Sequence, residues 1–284
     1  MKIITAKDAG YCFGVRDAVD IAYDSAKKHG EVYMLGDIVH NERVVEDLAK
    51  SGSKVVKTID EIPNDKPVLF RAHGTSKKVW QEAKGKNIDI IDATCPLVRE
   101  IHNEVERLEK NGRQIIIIGD HGHDEVVGIE SHSISPIVVS NIDEAKTLRK
   151  FKKAGIVSQS TQTIENVKEI INVLMTKVFD LHFINTICFP TKQNQYQIKD
   201  LAKESDIMII IGSFTSANSK RLTELSLKLN TNTYQVNSYK DLKKLWFNNV
   251  KKVGISAGAS TPDYLISEVE NKIKNISKNQ TRRV

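Results

Sequence analysis

Apolar positions along this chain come in short bursts separated by amphipathic stretches. The bursts predict strands at Lys2–Thr5, Glu31–Leu35, Lys54–Val56, Val68–Ala72, Ile88–Asp92 and Gln114–Ile118. Six more follow at Ile137–Val139, Gly155–Ser158, Lys177–Phe179, Ile207–Ile211, Thr233–Val236 and Val253–Ser256. The runs IIIIG and IMIIIG are continuous rather than alternating, as expected for strands covered on both faces of a parallel sheet. Helical periodicity falls between them, at Val15–His29, Glu42–Lys50, Ser76–Ala83 and Leu97–Asn111. It returns at Ile142–Lys150, Ile164–Met175, Tyr196–Lys203, Ser219–Leu229 and Tyr264–Ile276. Leu97, Ile101, Val105 and Leu108 form one apolar stripe, which is the core-facing side of a helix. Strands alternating with helices indicate an α/β fold with mostly parallel sheets.

The pattern also repeats. Cys12, Cys95 and Cys188 each stand 24 residues before a glycine that closes an apolar burst: Gly36, Gly119 and Gly212. Each unit reads cysteine, helix, strand, glycine, polar loop. Position +28 from the cysteines holds His40, His123 and Ser216, and position +30 holds Glu42, Glu125 and Asn218. A second strand end in each unit carries His73, then Ser160 with Thr161, then Ser260. Three pseudo-symmetric α/β units explain this register. They span 12–94, 95–187 and 188–276, with the strand in residues 1–11 joining the third sheet and residues 277–284 forming a basic tail.

Composition narrows the classes. The 284 residues carry 42 Lys and Arg against 36 Asp and Glu, a net charge of +6. Five of the basic residues lie between Lys272 and Arg283, so the excess belongs largely to the tail and indicates no nucleic-acid face. No apolar run is long enough to span a membrane. The opening MKIITAK lacks the apolar stretch of a secretory signal, and the chain reads as cytoplasmic. Three widely spaced cysteines without a C-x-x-C exclude a disulfide scaffold and the usual zinc-ribbon motif.

The repeat turns those cysteines from core packing into a ligand set. Each sits at the mouth of a helix, where the dipole favours thiolate. Three thiolates from separate units suit a metal or an iron–sulfur cluster. Zinc ordinarily takes four ligands, whereas three cysteines on a cubane leave one iron open for a substrate oxygen. His40, His73, His123, Ser216, Asn218 and Ser260 make a donor-rich set suited to phosphate oxygens. Glu125, two residues from His123, is the carboxylate placed to hold and deliver a proton. A non-catalytic iron–sulfur protein and a zinc hydrolase are the alternatives these residues leave open. No phosphate-loop or dinucleotide glycine motif is present.

The motifs CFGV at 12–15, HNERVVEDL at 40–48, RAHGTS at 71–76 and DATCPLV at 92–98 closely resemble one family. So do GHDEVVG at 122–128, TIC at 186–188, NSKRL at 218–222 and AGASTP at 257–262. The family is 4-hydroxy-3-methylbut-2-enyl diphosphate reductase, or LytB, and the likeness runs from Cys12 to about residue 276. It implies three α/β units around a [4Fe–4S] cluster with Cys12, Cys95 and Cys188 as its three ligands and one iron open. It implies that His40, His73, His123, Ser216, Asn218 and Ser260 hold the diphosphate of an isoprenoid substrate. Ser160 would face the hydroxyl end, Glu125 would protonate the departing hydroxyl, and ferredoxin or flavodoxin would supply electrons. Four positions depart from the family pattern. Ser160 replaces a threonine, Ala217 a serine, Asp120 a histidine or lysine, and Asp124 a proline. The two acids are expected to weaken anion binding.

Overall fold

The computed structural model describes residues 1–281. In chain order the first part runs β1 Lys2–Thr5, α1 Phe13–His29, β2 Val32–Leu35, α2 Glu42–Lys50, β3 Ser53–Val56, β4 Val68–Phe70, α3 Lys77–Gly85 and β5 Ile90–Asp92. The middle part runs α4 Pro96–Lys110, β6 Gln114–Ile118, α5 Asp124–Glu130, β7 Ile137–Val139, α6 Ile142–Thr147, β8 Phe151–Ser158, α7 Ile164–Leu174 and β9 Val178–Phe183. The last part runs α8 Phe189–Glu204, β10 Ile207–Ile211, α9 Ala217–Leu227, β11 Thr233–Val236, β12 Lys252–Ala257 and α10 Asp263–Thr281.

Among the described residues the strands form three four-stranded sheets, β3-β2-β4-β5, β7-β6-β8-β9 and β11-β10-β12-β1. Every pairing is parallel. The three sheets share one strand order, and in the third the fourth place is filled by β1, which pairs with β12 from Lys2↔Lys252 to Thr5↔Ile255. The architecture is α/β with three pseudo-symmetric units. By packing, the chain divides into two compact bodies. One contains Met1–Phe13, His40–Val44 and the chain from Phe189 onward; the other contains Gly14–Val39 and Val45–Cys188, with the first two sheets.

The continuous apolar strands are buried on both faces. Ile207, Ile209 and Ile211 of β10 pack with Val269, Ile273 and Ile276 of α10. The intervening Met208 and Ile210 pack with Ile198, Leu201 and Ala202 of α8 and with Leu222 and Leu225 of α9. In β6, Ile116 and Ile118 meet Val167, Ile170 and Leu174 of α7, while Ile115 and Ile117 meet Ile101, Val105 and Leu108 of α4. Each such buried side chain contributes roughly 1.5–3 kcal/mol. In the first sheet, Tyr33, Leu35, Val68 and Phe70 pack on α3, with the Phe70 and Trp80 rings edge to face at 4.9 Å.

Several elements differ from the sequence expectation, among them α8, which begins at Phe189 and not at Tyr196. The HDEVVGIE segment is a helix, α5, where a loop was expected, and α6 stops at Thr147 because Leu148 turns extended, with ψ 143°. The basic stretch expected as a tail is helical over 277–281, and residues 282–284 lie outside the described residues. Among the described residues no helix is long and apolar enough to cross a membrane.

Candidate functional site

The three cysteines open helices. Cys95 is the N-cap of α4, followed by Pro96 at a position where a missing N–H costs nothing, and Cys12 and Cys188 immediately precede α1 and α8. Each thiol is half-buried. Each cysteine also makes an equivalent backbone bond. Cys95 N donates to Ala72 O at 3.0 Å, beside His73. Cys188 N donates to Ser160 O at 2.9 Å, and Cys12 N donates to Ala259 O at 3.4 Å, beside Ser260. The second strand end of every sheet is thus tied to a cysteine.

In the body that contains Cys95 and Cys188, Glu125 is 1% exposed and held from both sides by one residue. Ser160 N donates to its Oε1 at 2.6 Å and Ser160 Oγ donates to Oε2 at 2.9 Å. His123 caps α5, its Nδ1 accepting from Glu125 N at 3.1 Å. A neutral His123 with that bond carries its proton on Nε2. The His73 and His123 rings stand 5.8 Å apart at 80°. Asp124 is paired, Arg71 Nη1 donating to its Oδ2 at 2.5 Å. Asp120 N donates to Gln159 Oε1 at 3.0 Å.

In the other body, Ser216 caps α9, its Oγ accepting from Ser219 N at 3.3 Å. Gly212 lets that turn close, since a Cβ there would meet Ser219 Oγ at 2.2 Å. Asn218 is 7% exposed, and its Nδ2 has no hydrogen-bond partner among the described residues. Ser260 Oγ donates to His40 O at 3.1 Å. Asn41 caps α2 through its Oδ1, which accepts from Arg43 N at 3.1 Å. Glu42 accepts from Ser213 Oγ at 2.7 Å and Thr215 Oγ1 at 3.4 Å. Burial pushes the Glu42 carboxyl up, but hydrogen bonds led by Ser213 outweigh it and hold the pKa below the usual value.

The structure therefore groups His73, His123, Glu125, Ser160, Cys95 and Cys188 in one body. It groups Cys12, His40, Ser216, Asn218 and Ser260 in the other. Sequence reading passed over Asn41, Arg71 and the Glu42–Ser213 bond. Asn41 was detectable as a cap before an apolar-periodic run. Arg71 and Ser213 act across long chain separations and left no local signal.

Cys12, Cys95 and Cys188 are the residues whose chemistry suits an iron–sulfur cluster. The backbone at Gly14 approaches Cys95 so closely that a Cβ would lie 2.4 Å from Sγ, which leaves the sulfur bare of side-chain cover there. A helix N-terminus behind each thiol supports thiolate. Among the described residues no three His, Cys, Asp or Glu form a group crowded enough to hold a single metal ion.

The family model described as LytB protein matches residues 3–274. A 4-hydroxy-3-methylbut-2-enyl diphosphate reductase from Geotalea uraniireducens is 41% identical over 281 residues, 99% of each chain. One from Geobacter sulfurreducens is 40% identical, over 96% of this chain and 97% of its own. A solved structure of (E)-4-hydroxy-3-methyl-but-2-enyl diphosphate reductase, the terminal enzyme of the non-mevalonate pathway, is 38% identical with a TM-score of 0.72. It covers 96% of this chain and 99% of its own. The Plasmodium falciparum E-1-hydroxy-2-methyl-but-2-enyl-4-diphosphate reductase has a TM-score of 0.92 at 29% identity, covering 95% of this chain and 87% of its own.

Proposed function

Because the chain belongs to the LytB protein family, we propose that it converts (E)-4-hydroxy-3-methylbut-2-enyl diphosphate to isopentenyl and dimethylallyl diphosphate. Two electrons and two protons are consumed and water is released. The reading places the reaction last in the non-mevalonate isoprenoid route, in the cytoplasm, with ferredoxin or flavodoxin as electron donor. Cys12, Cys95 and Cys188 would hold a [4Fe–4S] cluster with one iron open. When bound, that cluster supplies single electrons and a Lewis-acidic iron.

One observation carries the reading. Ser160 binds Cys188 through its carbonyl and Glu125 through both its N–H and its hydroxyl. A proposed cluster ligand and a carboxyl 1% exposed are therefore separated by a single residue. A zinc hydrolase or an electron carrier has no need of that juxtaposition. Protonated Glu125 donates from Oε2 to Ser160 Oγ, whose own proton turns toward the substrate hydroxyl. The C–O bond then breaks with the oxygen leaving as water. The reading assigns His40, His73, His123, Ser216, Asn218 and Ser260 to the diphosphate as donors. The unpartnered, buried Asn218 amide and the N-terminus of α9 supply hydrogen bonding and partial positive charge to an anion.

Glu125→Gln tests this assignment. The amide keeps the shape but cannot deliver the proton, so turnover should fall by about 10²–10⁴-fold. Iron and sulfide content and diphosphate binding should stay at parental levels. Unchanged turnover would remove Glu125 as proton donor.

A further inference from the structure

We propose that Arg71 and Asp124 form a charge-neutralising pair beside the diphosphate site, in which Arg71 neutralises a carboxylate that would otherwise repel the ligand. The proposal rests on the diphosphate reading above. Asp124 lies between His123 and Glu125, in the first turn of α5. Arg71 lies two residues before His73. Their bond, 2.5 Å from Nη1 to Oδ2, joins the turn that carries His73 to the helix that His123 caps and Glu125 occupies.

The pair is shielded, with the two side chains only 22% and 33% exposed, so solvent screens it less than an ordinary surface bridge. The Gly36 backbone also borders the guanidinium, since a Cβ there would lie 2.7 Å from Nη1. Its buried Nε has no hydrogen-bond partner among the described residues. Asp124 is thereby the hydrogen-bonding anchor that the structure gives Arg71. The His73 and His123 rings, 5.8 Å apart, lie on the two segments the pair joins, and the ion pair presents no net charge to a polyanion. Remove the cation and the same carboxylate becomes a repulsive group next to two ligand donors; remove both charges and the repulsion disappears.

That difference defines the test. Arg71→Gln, Asp124→Asn and the double variant are purified anaerobically with the cluster loaded. Inorganic diphosphate binding is measured by calorimetry, and KM and kcat with the hydroxylated diphosphate substrate. Arg71→Gln should weaken diphosphate binding and raise KM by about tenfold, with kcat within about threefold of the parent. Asp124→Asn should bind within about twofold of the parent, and the double variant should recover to within about threefold. Arg71→Lys, which keeps the charge, should fall between parent and Arg71→Gln and serves if Arg71→Gln does not fold. Parental binding by Arg71→Gln overturns the proposal. So does a double variant as weak as Arg71→Gln, because Arg71 would then act on the ligand or through packing, not through Asp124. A parent protein that neither binds diphosphate nor turns over would instead refute the functional reading itself.

Discussion

Acid should unfold this protein before it protonates His102. The ring is 7% exposed on the core side of α4 and stacks on His132, with centroids 4.2 Å and planes 18° apart. Burial first, then the neighbouring His132, push its pKa from 6.5 down to about 3, against an upward pull from Glu106. A histidine whose folded pKa lies below its unfolded value costs nothing above pH 6.5. As pH falls through 6.5 the unfolded chain takes up the proton and the folded chain does not, so stability is lost until pH reaches the folded pKa. At 1.36 kcal/mol per pH unit the loss is about 2 kcal/mol at pH 5 and about 5 kcal/mol near pH 3. Against total stabilities of roughly 5–15 kcal/mol, that is a large share.

The assay is urea unfolding at pH 7.5 and pH 5, on the parent and on His102→Phe. Phenylalanine keeps a ring against His132 and carries no proton. The parent should lose about 2 kcal/mol more than the variant across that window. His132, also lowered by burial, titrates in both proteins and largely cancels. Glu106, held near a pKa of about 2 by its bonds from Lys77 and His132, keeps its stabilising contribution until pH falls below the usual carboxylate value of 4.5, outside the window. Equal losses in the two proteins would show that His102 is not the group excluded from the proton.

Two further outcomes probe the proposed ligand groups. Gly14→Ala puts a methyl where the Cys95 sulfur lies 2.4 Å away, so the sulfur must move or the turn must strain by about 1–3 kcal/mol. Iron and sulfide content after anaerobic reconstitution should drop by more than half with the secondary structure intact, and full loading would refute the point. Ser216→Asp retains an N-cap acceptor but loses the hydroxyl donor and adds charge. The melting temperature should stay within about 2 °C, since Asp and Ser cap about equally well. Diphosphate binding by calorimetry should be lost, and parental affinity would exclude Ser216 from the site.

Much of the fold was legible because burial on both faces writes itself as uninterrupted apolar runs. Residues 207–211 and 114–118 are strands on that ground alone. The helices that escaped did so for definite reasons. α5 is seven residues long and contains Gly128, too short for a period to show. The first turns of α8 bury Thr191, Asn194 and Gln195, so their inward face is polar and hydropathy cannot see it. In the candidate site, spacing revealed the cysteines and the polar positions in register with them. The bonds from cysteine N–H groups to the second strand ends were invisible, as was Arg71 on Asp124, because both depend on which segments the sheets bring side by side.

Of three positions equivalent in the register, only one is the proposed acid. The residues at or next to +28 cap a helix, which uses an acceptor, and under the diphosphate proposal also face an anion, which requires a donor. Histidine, serine and asparagine satisfy both demands, whereas an aspartate can only cap. His123, Ser216 and Asn41 are the caps found. Two places further on stand Glu42, Glu125 and Asn218. Asn218 has no proton of the right acidity to give. Glu42 is exposed and spends its carboxylate on Ser213 and Thr215, bonds that keep it ionised. Glu125 alone combines a carboxyl closed off from water with a hydroxyl, that of Ser160, able to pass a proton onward. Position in the repeat is shared by all three, so it is the environment that separates an anchor from a proposed proton donor.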